Sequence, residues 1–222
     1  MKDFNKFAIS NGISSNTLHG YQKHTGGLIS PTIVEERHLN AVTMDVFSRL
    51  MAERIIFLGT AIDSDVSNII TSQLMYLNSI DPESDIKLFV NSPGGSVVDG
   101  LAIYDVMNWV DADVATYAMG MAASMGSILL SSGEKGKRFS LPHSKVMIHQ
   151  PMGGVPGGTQ ESDFAIAYEE IKKCKDTLYN ILAENTGKTY EDIAKAGDRD
   201  CWFTAKEALE YGLIDEIIAK SK

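Results

Sequence analysis

The chain has 222 residues, of which 44% are hydrophobic and 22% charged, enough to bury one sizeable core. Its net charge of -9 argues against nonspecific nucleic-acid binding and gives no support for an acidic membrane surface as a partner. The two cysteines, Cys174 and Cys201, are too few for a disulfide scaffold and lack metal-ligand spacing, which favours a reducing compartment; no metal or cofactor is called for, and no apolar run approaches the length of a membrane span.

Met1 to Ser30 is rich in Asn, Ser, Gly and Lys, with no apolar stretch long enough for a secretory signal, and reads as a flexible leader before a single domain from residue 31 to 222. The pattern then predicts a helix over Ala41–Met51, a strand over Ile55–Leu58 and a helix over Asp65–Asn78 with Val66, Ile69, Ile70, Leu74 and Leu77 on one face. Strand Ile86–Val90, helix Ser96–Val110, strand Val114–Met119 and helix Ser124–Ser131 follow, and Val146–Ile148 is a short buried strand. This alternation is that of an α/β domain, a sheet covered by helices. Gln160–Thr186 breaks it. About 27 residues at ~1.5 Å rise make a rod of roughly 40 Å, with Phe164, Tyr168, Ile171, Cys174, Leu178, Ile181 and Leu182 on one stripe. Such a stripe needs a cover, either the chain's own sheet or a second subunit.

Four segments carry chemistry. Gly120-Met-Ala-Ala-Ser124-Met-Gly-Ser127 puts a serine among small residues where a strand gives way to a helix, a junction that can hold a hydroxyl clear of the backbone beside free helix N–H groups. The same small residues would also suit a tight helix–sheet contact. A serine nucleophile needs a base. Of five histidines, His19, His24 and His38 lie in or near the leader and His143 follows Pro142 in a turn, while His149 ends an apolar strand before Gln150-Pro-Met-Gly-Gly154. The best candidate for the orienting carboxylate is Asp200, with Asp198 its competitor, in Asp198-Arg-Asp-Cys-Trp-Phe-Thr204, where a polar loop enters a short apolar segment that could half bury one carboxylate. Finally, Asn91-Ser-Pro-Gly-Gly95 follows a strand, where paired glycines permit backbone angles that leave an N–H free to face an oxyanion.

Taken in order, these segments resemble the ClpP family, the serine peptidases of Clp proteases. The resemblance runs from about Pro31 to Ile218 and includes Glu53-Arg-Ile-Ile-Phe-Leu58, Asn91–Gly95, Ala122–Gly126, Gly136-Lys-Arg-Phe139, Met147–Pro151 and Glu210-Tyr-Gly-Leu-Ile-Asp215. It implies the β-β-α spiral shared by ClpP and crotonases, with a projecting handle helix at about 151–186. It further implies Ser124 as nucleophile, His149 as general base, Asp200 as third triad member, and the Gly95 and Met125 N–H groups as oxyanion hole. Asp198 and Arg199 match a pair that forms salt bridges between rings.

The resemblance also implies a propeptide removed by self-cleavage, here near Gly27–Leu28, and two stacked heptameric rings in the cytoplasm. No loop of the form G-x-x-x-x-G-K-[ST] is present, so substrate unfolding falls to a partner, which the resemblance identifies as an AAA+ ATPase of the ClpX or ClpA/ClpC type. Two other readings stay open at this point: a crotonase-like acyl-CoA enzyme, which shares the fold, and a noncatalytic ring subunit.

Overall fold

The computed structural model describes residues 32–37 and 40–219. The leader, the bond near Gly27–Leu28, and His19, His24 and His38 lie outside the described residues. The chain divides into two compact units, one ending at Arg49 and one beginning at Leu50.

In the first unit β1 (Thr32–Arg37) pairs antiparallel with β2 (Asn40–Asp45), Thr32 opposite Asp45 and Arg37 opposite Asn40. Helix α1 (Val46–Ala52) follows. The helix expected over Ala41–Met51 is therefore half strand. Its start is set by Asp45, whose carboxylate accepts the Ser48 N–H at 3.1 Å, the favoured role of a short acidic side chain before a first turn; upstream, Val42 and Thr43 suit an extended chain.

The second unit is an α/β sheet with helices. Strands β3 (Ile55–Leu58), β4 (Ile86–Ser92), β5 (Val114–Ala123), β6 (Arg138–Ser140) and β9 (Glu216–Ile217) run parallel in that order. β7 (Lys145–Ile148) pairs parallel with the far end of β5, and β8 (Cys201–Thr204) pairs antiparallel with β7. The helices are α2 (Ser64–Ile80), α3 (Val97–Trp109), α4 (Met125–Ser131), α5 (Glu161–Thr186), α6 (Tyr190–Ala196) and α7 (Ala205–Tyr211). β4 shows the two-residue period of a strand: Ile86, Leu88, Val90 and Ser92 are buried while Lys87 and Asn91 face solvent. In α2, Asp63 caps the start by accepting the Val66 N–H at 2.9 Å, and Ser67, Ile70, Leu74 and Leu77 form the buried face. Ile69, expected on that face, is 57% exposed, because the stripe is centred on positions 67, 70, 74 and 77 and leaves it outside.

Two features position the site. β5 changes partner along its length: Thr116–Ala118 pairs with β6, and Met121–Ala123 with β7. Between them Gly120 has φ +73°, a side chain there would sit 2.7 Å from Asn91 Oδ1, and that oxygen instead accepts the Met121 N–H at 3.2 Å. The second feature is α5. Leu178, Tyr179, Ile181 and Leu182 are buried and Ile171 and Cys174 half-buried, whereas Phe164, Ile166 and Tyr168 are exposed. Of the two covers open to the apolar stripe, the chain's own core covers only the second half.

One buried ion pair joins sheet and helices. Arg138 donates from Nη2 to Asp215 Oδ1 at 2.6 Å and from Nε to Oδ2 at 2.9 Å, while its Nη1 reaches the carbonyls of Ser131 and Asn185 near the ends of α4 and α5. Burial alone would raise the Asp215 pKa. The Arg138 hydrogen bonds and charge, with backbone donors from Arg138 and Gly136, outweigh that and hold it below the usual carboxylate range. Replacing Asp215 by Ala strands the guanidinium, so urea unfolding at neutral pH should show a loss of about 3–5 kcal/mol. The native carboxyl titrates below its unfolded value, so the gap between wild type and Asp215→Ala is full above about pH 4. It should narrow as pH falls through the native pKa; a gap that stays constant into acid contradicts the assignment.

Candidate active site

β5 ends at Ala123, opposite Met147 of β7, and the next N–H, that of Ser124, donates to the Met147 carbonyl at 2.9 Å. Ser124 itself turns sharply, with φ +54° and ψ -125°, a conformation a non-glycine residue holds only at a cost of order 1–3 kcal/mol. The helix expected from Ser124 thus starts at Met125, with Ser124 as its cap. The Ser124 carbonyl accepts the N–H of Ser127 at 2.9 Å and the hydroxyl of Ser127 at 2.7 Å, which closes the first turn of α4 and leaves Oγ free to point outward.

His149 follows β7 directly, with its ring 11% exposed. Its Nε2 lies 2.8 Å from Ser124 Oγ and its Nδ1 lies 3.0 Å from Asp200 Oδ1. With Nδ1–H donating to the carboxylate, Nε2 is the lone pair facing the serine hydroxyl. Asp200, not its competitor Asp198, is the carboxylate at the imidazole. Its side chain is 62% exposed, and the His149 bond is the polar contact it makes among the described residues. Its place is set by the backbone on either side: Cys201 pairs with Ile148, and the Gly197 carbonyl accepts the Gln150 N–H at 2.7 Å. The loop carrying Asp200 therefore straddles His149.

The paired glycines lie against the serine. Gly94 has φ +94°, and a Cβ there would come within 2.5 Å of Ser124 Cβ. At Gly95, with φ +151°, a side chain would collide with the backbone of Ile62, to which the loop is stitched by Ile62 N–H to Gly94 carbonyl and Ser96 N–H to Ile62 carbonyl, at 2.8 and 2.9 Å. That stitch uses the neighbours of Gly95 and not its own N–H. Met125, first residue of α4, likewise has an N–H with no intrahelical acceptor. Both residues border a cavity of about 90 Å³ beside Ser124 and His149, whose apolar lining includes Ile128, Ile148, Leu178 and Leu182.

Ser124, His149, Asp200, Gly95 and Met125 thus converge. Asp198 and Arg199 do not: their side chains are 67% and 90% exposed and 3.9 Å apart. His143 is exposed in its turn. Sequence reasoning missed Ser92, whose buried hydroxyl accepts the Gly94 N–H at 3.1 Å, and Ile62, whose bridge to Gly95 leaves no sequence signal. Leu178 and Leu182 were visible as part of the α5 stripe, but not as the wall of a cavity. No helix among the described residues is long and apolar enough to cross a membrane.

Comparison with known proteins identifies the family of the chain. The model of the Clp protease family matches residues 38–221. An ATP-dependent Clp protease proteolytic subunit of Porphyromonas gingivalis is 54% identical over the full length of both chains. One from Bacteroides fragilis is 52% identical, over 99% of this chain and all of its own, and one from Streptococcus pneumoniae 50% identical over 86% of this chain and 97% of its own. Matched along nearly its whole length by such subunits, the chain belongs to the Clp protease family, a family of serine peptidases.

Proposed function

We propose that this chain cleaves short peptides and unfolded proteins with a Ser124–His149–Asp200 triad, inside a chamber of two stacked heptameric rings. The observation that carries the reading is the continuous relay from Ser124 Oγ through both ring nitrogens of His149 to Asp200, at 2.8 and 3.0 Å. His149 accepts the serine proton as Oγ attacks the peptide carbonyl, and Asp200 stabilises the imidazolium that forms. The Gly95 and Met125 N–H groups meet the oxyanion. His149 then protonates the leaving amine, and water, activated by the same base, hydrolyses the acyl-enzyme.

The cavity beside Ser124 supports an apolar residue on the acyl side of the cleaved bond. At about 90 Å³ it lies between a water site and the ~150 Å³ void that accepts benzene, which suits a medium aliphatic side chain better than an indole. The uncovered half of α5, with Phe164, Ile166 and Tyr168 exposed, supports assembly through that helix. The exposed Arg199, 3.9 Å from Asp198, is available to a carboxylate of another subunit. Substrates reach the chamber from an AAA+ ATPase of the ClpX or ClpA/ClpC type, and two free cysteines fit a cytoplasmic setting.

Ser124→Ala should lower peptidase kcat by about 10⁶-fold. Intact mass after fluorophosphonate treatment is expected to show one adduct per chain in wild type and none in Ser124→Ala, and the same spectrum reads whether the chain has been cut near Gly27–Leu28. An adduct on the alanine variant removes Ser124 from the mechanism. Arg199→Ala should reduce both the fourteen-subunit fraction on size exclusion and the peptidase rate; normal assembly and activity would remove its proposed contact between rings.

A further inference from the structure

The Gly197 carbonyl accepts two hydrogen bonds from two different parts of the fold. One is the Gln150 N–H at 2.7 Å, from the residue after His149; the other is the Tyr179 hydroxyl at 2.9 Å, from α5. Gln150 adds a side-chain bond from Nε2 to the Asp198 carbonyl at 2.9 Å. Together they anchor the segment three residues upstream of Asp200, whose exposed carboxylate has no burial of its own to hold it. Tyr179 is 1% exposed, so a hydroxyl in that position requires a partner, and Gly197 supplies it. The fit is close: a Cβ on Gly197 would stand 2.9 Å from the Tyr179 hydroxyl oxygen. The ring is held edge-on by Tyr190 at 5.8 Å, whose own hydroxyl donates to Asp176 at 2.6 Å.

We propose that Tyr179 is a positioning residue for the peptidase reaction, which through the Gly197 carbonyl sets the loop that presents Asp200 to His149. The inference rests on the reading of Ser124, His149 and Asp200 as a triad. It makes a demand that a merely structural tyrosine does not: the hydroxyl matters to the rate only through Asp200. Leu178 and Leu182 of the same helix line the substrate cavity, so a general shift of α5 would raise KM, whereas loss of the Gly197 bond alone acts on kcat.

The test is a double-mutant cycle on the assembled full-length protein, with a short fluorogenic peptide ending in an aliphatic residue and with fluorophosphonate labelling rates for the slowest variants. Tyr179→Phe keeps the ring and is expected to lower kcat by about five- to tenfold, the scale of one neutral hydrogen bond, with KM within about twofold. Asp200→Asn should lower kcat by about 10⁴-fold, and adding Tyr179→Phe to it should change nothing further. Gly197→Ala, which pushes the hydroxyl away from the other side, should reproduce the Tyr179→Phe loss. The inference is overturned if Tyr179→Phe and Gly197→Ala both turn over within twofold of wild type, or if the Tyr179→Phe loss multiplies with that of Asp200→Asn. An Asp200→Asn variant as fast as wild type would instead remove the triad reading, and the inference with it.

Discussion

β5 pairs with β6 along Thr116–Ala118 and with β7 along Met121–Ala123 because it bends at Gly120, where Asn91 replaces the contact a side chain would have made. Opposite this bend β4 runs from Val90, paired with Ala118, to Ser92, paired with Ala122, so the extra residues of the bulge lie in β5 itself, around Gly120. From that bend comes the register that sets Ala123 opposite Met147, and from the register comes the approach of the residues that follow each strand, Ser124 and His149. Strand pairing has a period of two, so a slip of one residue would turn the imidazole to the other face of the sheet. The Ser124–His149 distance of 2.8 Å is thus a property of the sheet and not of a flexible loop.

The same logic explains why small and strained residues gather here. Ser124 turns at a positive φ that a serine adopts only when its surroundings insist, and they do: its N–H is held by Met147, its carbonyl by the first turn of α4, and Gly94 lies where any Cβ would strike it. Ser92 holds the Gly94 N–H from beneath, and Gly100 leaves room for the buried Met125 side chain. Donors aimed at a charge that has not yet formed need such rigidity, because an N–H that must reorient during reaction loses much of its benefit.

What was legible in the sequence was what depends on local chain geometry. A serine at a strand end before a helix, a histidine closing an apolar strand, and paired glycines after a strand each advertise a backbone conformation, and Ser124, His149 and Gly95, which the fold brings together, stood out that way. Asp200 was the better candidate than Asp198 from its place before a short apolar segment, but what brings it to a histidine 51 positions earlier is the pairing of β8 with β7, which no local signal announces. The helix expected over Ala41–Met51 failed for a related reason: Asn40–Asp45 has a partner in β1, and pairing overrides a short apolar period. Ile69 was misplaced because a helical face has edges, and composition does not say which residue lies at its centre.

Helix α5 draws these threads together, for its two halves obey different constraints. The second half is packed by Leu178, Tyr179, Ile181 and Leu182, lines the cavity beside Ser124 and touches the Gly197 carbonyl. The first half holds Phe164, Ile166 and Tyr168 in solvent, where full burial of each would contribute about 1.5–3 kcal/mol. That sum is comparable with the whole net stability of a typical domain, so covering the first half would contribute free energy on the scale that folds a domain. A helix is stiff along its axis, and its buried end bears on both the cavity beside Ser124 and the loop of Asp200. The exposed end and the packed end thus belong to a single element, with Tyr179 at the point where that element meets the Gly197 carbonyl upstream of Asp200.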